Sequence, residues 1–296
     1  MSIYSWEVFI TVAEMQSFVR AAEVLHVSQS AVSHVIRKLE EENNIVLFVR
    51  NRNKAELTTS GQMIMPLVRN LIECSRSLDQ MLSDLDNITR GVVRIAAFNS
   101  VSRLWLPEVI KSFKEKYPEV NVQLTQTGDE YIGRLTENGE VDLAIMPEGY
   151  SFRGEYMPLH RTGMLCLAPE GFVPTNGKSV TAADLSGQNM IMQVKGYDAE
   201  IQRWLAGNKV EVKSDYRFEV DNTCHEYVRQ GLGFFLTSRL MLDADPVDGV
   251  SVWPIEPAEY REVGLVTVYP DYAPAVVKLF QTEMINYLEE KGMLNV

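Results

Sequence analysis

The amino-acid sequence predicts an α/β multidomain chain, and three patterns carry that prediction. Near the N-terminus, two short runs of apolar residues at helical spacing are separated by a break of a few residues. A longer helical pattern follows, with an apolar residue at every seventh position. From Val92 the periodicity changes to short apolar strands alternating with helices, the rhythm of βαβ units and a mostly parallel sheet.

Residues 3–15 read as a first helix with Val8, Phe9, Val12 and Ala13 on its buried face. In residues 17–40, Phe18, Ala21, Ala22 and Leu25 share one helix face; Val32, Val35, Ile36 and Leu39 share another. Ser17 and Ser28 stand just ahead of these runs, where a hydroxyl can accept from an unpaired backbone N–H. His26-Val27-Ser28 is too short for anything but a sharp corner, and Ala21-Ala22 lets the two helices approach closely. That is a helix-turn-helix, whose second helix can lie in a DNA major groove.

The outward face of the second helix suits that use. Ser28, Gln29, Ser30, Ser33 and His34 can bond to base edges, with Gln29 able to pair bidentately with adenine. Arg37 and Lys38 lie a turn later, where phosphates would run. Asn43 and Asn44 suit a C-terminal cap. Residues 45–58 then read as a β-hairpin with a polar tip, a wing carrying Arg50, Arg52 and Lys54 to the DNA backbone or minor groove.

Residues 59–88 are expected to form a long helix. Ile64, Leu71, Leu78 and Leu85 repeat every seven residues, and Val68 and Leu82 fill the intermediate position. So narrow a stripe reads as a dimer seam, and a dimer is what a helix-turn-helix needs to read two half-sites. Pro66 stands ready to kink this helix or shift its start.

Thr89-Arg90-Gly91 reads as a hinge. Beyond it, strands are predicted at 92–98, 120–127, 141–147, 163–169, 189–194, 214–220, 233–238 and 262–269. Helices are predicted through Leu106–Phe113, at 198–206 and 222–230, and at 273–291. The expected domains are therefore 1–58, 59–88 and 89–296.

A net charge of −12 is unusual for a DNA-binding chain, but location matters more than the sum. Residues 1–58 hold six basic and seven acidic residues, and five of the six basic ones lie in the second helix or the hairpin. Affinity per subunit should be modest, so several subunits must act together. No apolar run approaches the roughly 20 residues of a membrane span, and MSIYSWEVF is not a secretory leader, so a cytoplasmic protein is expected. The three cysteines, Cys74, Cys166 and Cys224, show no motif spacing and are expected to be free thiols, with Cys166 and Cys224 the pair to test for a redox switch. Histidines do not cluster at metal-ligand spacing. Gly231-Leu232-Gly233 lacks the context of a phosphate loop, and no acid/base or nucleophile set is evident. Neither an enzyme nor a cofactor is expected.

The order of winged helix-turn-helix, linker helix and α/β half resembles the LysR-type transcriptional regulators. The resemblance covers the whole chain and is sharpest between Phe18 and Gly61. It is carried there by Phe18, Ala21-Ala22, Leu25, Ser28-Gln29, Ala31, Ser33, Ile36, Leu39-Glu40, Leu47-Phe48, Arg50, Leu57-Thr58 and Gly61. Two positions depart from the family: Asn44 stands where it usually has Gly, and Asn53 where the wing usually has Arg. Arg52 and Lys54 flank Asn53, and either could replace that arginine.

The resemblance implies a two-lobed regulatory half like a periplasmic binding protein, with lobe I at about 92–162 and 267–296 and lobe II at about 163–266. It also implies a small-molecule effector between the lobes, promoter DNA as partner, a dimer or tetramer that bends it, and RNA polymerase as a further partner. In α/β lobes, ligands sit beyond strand carboxyl ends and at helix N-termini. Those places are Asn99-Ser100-Val101-Ser102, Thr127-Gly128, Met146-Pro147, Lys195-Gly196 and Asn222-Thr223. The hydroxyls and Lys195 favour a polar or anionic metabolite; Glu148 and Asp221 would favour an amine or zwitterion if they line the cleft. Tyr197 could stack on an aromatic effector, whereas Phe234 and Phe235 read as core.

Overall fold

The computed structural model describes residues 2–51, 54–84, 90–194, 199–219 and 221–295. Arg52, Leu85, Lys195 and Gly196 therefore lie outside the described residues, as does the side chain of Arg50. Two compact units make up the chain: one holds Met1–Asp86, the other all but three residues of Asn87–Val296.

The first unit comprises α1 (Ile3–Met15), α2 (Phe18–Val24), α3 (Gln29–Asn43), β1 (Phe48–Asn51), β2 (Lys54–Leu57) and α4 (Thr59–Asp84). The two serine caps form as expected: Ser17 accepts from the Arg20 amide and Ser28 from the Ala31 amide at 3.2 Å. The corner closes with His26 at φ +53° and the Val27 amide bonded to the Ala22 carbonyl. Val8, Phe9, Val12, Ala21, Ile36 and Leu39 share one core with Leu47 and Phe48 of the wing. Asn44 does take the left-handed backbone, at φ +52°. A bond not expected from the sequence then fixes the wing: Glu40 Oε1 accepts from the amides of Leu47 at 2.7 Å and Phe48 at 3.2 Å.

Gly61 explains itself sterically. A Cβ there would stand 2.6 Å from the Leu47 carbonyl oxygen and 2.9 Å from Leu57 Cδ2. Gly61→Ala should therefore push α4 off the wing and destabilise the first unit by about 1–3 kcal/mol. Urea unfolding of the substituted protein checks this, and a change below a few tenths of a kcal/mol would contradict the packing.

Helix α4 runs through Pro66 and carries two apolar faces. Val68 and Ile72 are buried in the helix-turn-helix core, with Ile64 and Met65 packed against it. Val68 and Ile64 thus leave the predicted seam because they face α1 and the wing. The exposed apolar stripe is instead Met63, Leu67, Leu71, Leu78 and Leu82.

The second unit starts with β3 (Gly91–Ala97), α5 (Asn99–Leu104), α6 (Leu106–Lys116), β4 (Val120–Gln126), α7 (Asp129–Glu137) and β5 (Leu143–Pro147). These strands are parallel, β4-β3-β5. Next come β6 (Glu155–Pro169), β7 (Val180–Thr181), α8 (Ala182–Leu185), β8 (Asn189–Gln193), α9 (Ala199–Gly207), β9 (Lys213–Phe218), α10 (Asp221–Arg229) and β10 (Phe235–Ser238). Finally α11 (Arg239–Ala244), β11 (Val250–Glu256), β12 (Tyr260–Thr267) and α12 (Ala275–Glu290) complete the chain.

Two strands join the lobes. β6 is 15 residues long because it serves both: its first half pairs antiparallel with β12, its second with β10 and β11. The sequence pattern finds only the second half, since Pro158 and several polar residues break the apolar run of the first. A register shift in the β6–β12 pairing falls between Val263 and Gly264, opposite Pro158–His160, which accommodates the missing proline N–H. β12 also pairs with β5 from Val263 to Thr267, so the chain has re-entered lobe I by Val263, earlier than the expected 267. β8 and β9 form a parallel pair beside β10, joined by a bridge from Met190 to Phe234.

The cysteines are settled by strand alternation. On β6, Met164, Cys166 and Ala168 face one core while Leu165 and Leu167 face another, and Cys224 belongs to the second. The sheet separates Cys166 from Cys224, so they cannot pair without unfolding it, and burial pushes the Cys166 thiol well above its usual range.

Candidate functional sites

The first site is the exposed face of α3. Ser28, Gln29, Ser30, His34, Arg37 and Lys38 are exposed along it, while Val32, Ile36 and Leu39 anchor its back in the core. Ser33 departs from the expectation: it is nearly covered, at 9% exposure. Its hydroxyl accepts from Gln29 Nε2 at 2.9 Å, which sets the orientation of the Gln29 amide. Ser28 and Ser30 hydroxyls bond at 2.9 Å. Lys38 stands 3.8 Å from Glu42, an exposed pair one turn apart that phosphate could displace. Lys54 is exposed on the wing strand β2.

The second site lies between the lobes. Arg261, on β12, places Nη2 2.5 Å from Oδ2 of Asp129, the first residue of α7 in lobe I. Its Nη1 lies 3.6 Å from Oε2 of Glu200, in the first turn of α9 in lobe II. The guanidinium also sits 4.9 Å from the centre of the Phe98 ring. Burial opposes its charge, but Asp129 and then Glu200 outweigh that and raise its pKa further. Tyr150 approaches the same group and accepts from the Ala199 amide at 3.4 Å; burial, Asp129 and Glu200 keep its phenol protonated. Each lobe thus contributes a carboxylate to one buried cation on the crossover strand.

The effector residues expected from the sequence divide. Ser100 is 1% exposed, and the hydroxyls of Ser100 and Ser102 are buried with no hydrogen-bond partner among the described residues. Asn99 reaches Met241 of α11. Thr127 is half-buried, with its amide bonded to Ala97, and Gly128 is buried, its carbonyl capping the first turn of α7. Asn222 is exposed and Thr223 half-buried at the start of α10. Val101 and Met146 do not line a cleft: both are fully buried in the lobe I core. Pro147 is also buried, as the last residue of β5 opposite Val263. Strand and helix ends fold back into the core there, and the alternation that exposes one residue hides the next. Phe234 and Phe235 are core, as read. Asp129, Tyr150, Glu200 and Arg261 were not found from the sequence. The charged pair Arg261-Glu262 at the head of a mostly apolar strand was the one local signal.

The bacterial regulatory helix-turn-helix model of the lysR family matches residues 3–62, and the LysR substrate binding domain model matches residues 87–288. The chain belongs to the LysR family. One similar protein is YvbU of Bacillus subtilis, an uncharacterized HTH-type transcriptional regulator, 25% identical over 95% of this chain and 96% of its own. Another is the DNA-binding transcriptional dual regulator OxyR of Escherichia coli, 28% identical over 90% of this chain and 89% of its own. A solved full-length OxyR from Pseudomonas aeruginosa shares the fold, with a TM-score of 0.76 at 19% identity over 96% of this chain and 94% of that one. As a LysR-type regulator, this chain couples a DNA-binding domain to an effector-binding domain, and its relatives are transcriptional regulators. Among the described residues, no helix is long and apolar enough to cross a membrane.

Proposed function

We propose that this LysR-type regulator acts by binding alone, inside the cell, reading promoter DNA through α3 and the wing while a small molecule between the lobes sets its state. What supports the DNA reading is the one-sided exposure of Ser28, Gln29, Ser30, His34, Arg37 and Lys38 over a back face anchored by Val32, Ile36 and Leu39. Gln29 reads a base edge with its amide preset by Ser33, Arg37 and Lys38 meet phosphate, and Arg50, Arg52 and Lys54 follow the flanking backbone. The exposed stripe of α4 pairs two copies, and two such pairs form a tetramer along one promoter. Residues 1–58, 59–88 and 89–296 are the reader, the pairing helix and the sensor. The sensor's effector lies between the lobes, beside the Asp129–Arg261–Glu200 cluster.

The test is binding to the DNA upstream of its own gene. Gln29→Ala should lose about 1–3 kcal/mol of discrimination between cognate and scrambled sites. The salt dependence, set by phosphate contacts, should persist. Full discrimination in that variant would remove α3 from the major groove.

A further inference from the structure

The interlobe cleft opens into a pocket of about 750 Å³ that carries four carboxylates, from Glu148, Glu200, Glu259 and Glu262, against two guanidiniums, from Arg161 and Arg203. Arg161 is engaged over the Tyr260 ring, 4.2 Å from its centre. Neither Glu148 nor Glu262 has an ion pair among the described residues.

Glu200 is the member that points to a ligand. It is 2% exposed, and both its carboxylate oxygens are buried with no hydrogen-bond partner among the described residues. Its one cation among the described residues, Arg261, is shared with Asp129 and bonds to that residue at the shorter distance. A buried carboxylate normally receives hydrogen bonds, and here one cation faces two carboxylates. Arg261 Nε is also buried with no hydrogen-bond partner among the described residues, but cluster and pocket together hold more carboxylates than cations, so the group that completes them is a positively charged hydrogen-bond donor. Tyr156 adds a further unmet group: its hydroxyl is buried with no partner among the described residues, and it lines the same pocket. Burial first, then Glu262 and Glu148, hold that phenol protonated.

We propose that the effector is a small aliphatic amine whose ammonium group is held between Glu200 and the pair Glu148 and Glu262. Its three N–H donors meet carboxylate oxygens, and its methylenes lie against Phe152 and Tyr156, whose rings favour a cation as well as an alkyl chain. Arg203 is exposed on the pocket wall beside Gly149. It leaves room for a carboxylate at the far end, so the amine is either a diamine or a basic amino acid. This names the chemical class for the cleft assigned above to the effector, and it rests on that assignment.

Thermal shift and calorimetry on the full-length protein, with putrescine, L-lysine and glutarate as probes, decide it. At least one amine should stabilise the protein, and glutarate should not. Glu148→Gln with Glu262→Gln, and separately Glu200→Gln, should each weaken the amine by at least about tenfold, the loss expected for a charge-assisted contact. If Arg203→Gln weakens only lysine, the amino acid is the better fit; equal binding of putrescine favours the diamine. No stabilisation by either amine at about 1,000 times a micromolar dissociation constant overturns the amine class. Glutarate binding that Arg203→Gln abolishes overturns the class while keeping the cleft. Amine binding unchanged in every variant places the ligand elsewhere and overturns the cleft assignment itself.

Discussion

Arg261→Met should destabilise the regulatory unit by about 3–5 kcal/mol, the usual consequence of removing one partner from a buried ion cluster. The substitution keeps most of the side-chain volume, so the effect is electrostatic: Asp129 and Glu200 are left facing each other without the cation between them. The accompanying control separates this from lost packing. Asp129→Asn with Glu200→Gln in the Arg261→Met background removes both charges and should restore most of the lost stability, because a cluster without net charge needs no counterion. Urea unfolding of the three proteins measures this. If the single variant unfolds at the same urea concentration as the original, Arg261 does not bind the lobes together. If the triple variant is as unstable as the single one, packing and not charge was lost.

Leu71→Glu with Leu78→Glu should convert the protein to monomers and reduce operator affinity by about two orders of magnitude or more, since a second tethered reader multiplies affinity by roughly 10²–10⁴. Both leucines are largely exposed on the single chain, at 44% and 57%. They do not belong to the helix-turn-helix core, which takes Val68 and Ile72 from the adjacent face of α4. The variant should therefore keep its unfolding transition while losing mass in light scattering. Val68→Glu should do the reverse and unfold the first unit. An unchanged mass for the double glutamate variant would move the dimer contact off this stripe.

How much of this was legible in the sequence depends on the range of the interaction involved. The helix-turn-helix was readable because its evidence is local: a period of 3.6, two serine caps and a corner, all within residues 17–40. The left-handed Asn44 was readable for the same reason. The anchoring of the wing by Glu40 was not, because the bond spans a turn whose path only the folded chain defines. The heptad of α4 was found, but a seven-residue repeat cannot say which of two apolar faces meets the protein's own core. The first half of β6 was missed because strands shared by two lobes need not be apolar runs. Strand ends pointed to residues between the lobes, but the charged centre there was overlooked. Asp129, Glu200 and Arg261 are separated by more than 60 residues each, and only tertiary folding brings them together.

The shared strands also bear on how such a protein can change over evolutionary time. β6 enters lobe II and β12 leaves it, so lobe II is an insertion within lobe I with two junctions, both inside hydrogen-bonded strands. A single recombination event cannot exchange one lobe for another, because it would leave β6 or β12 without its partner. New effector specificity in this architecture must therefore arise by substitution within the cleft or by replacing residues 90–295 as one piece, and a chimera joined only at the linker helix should fold where a chimera joined at residue 162 should not.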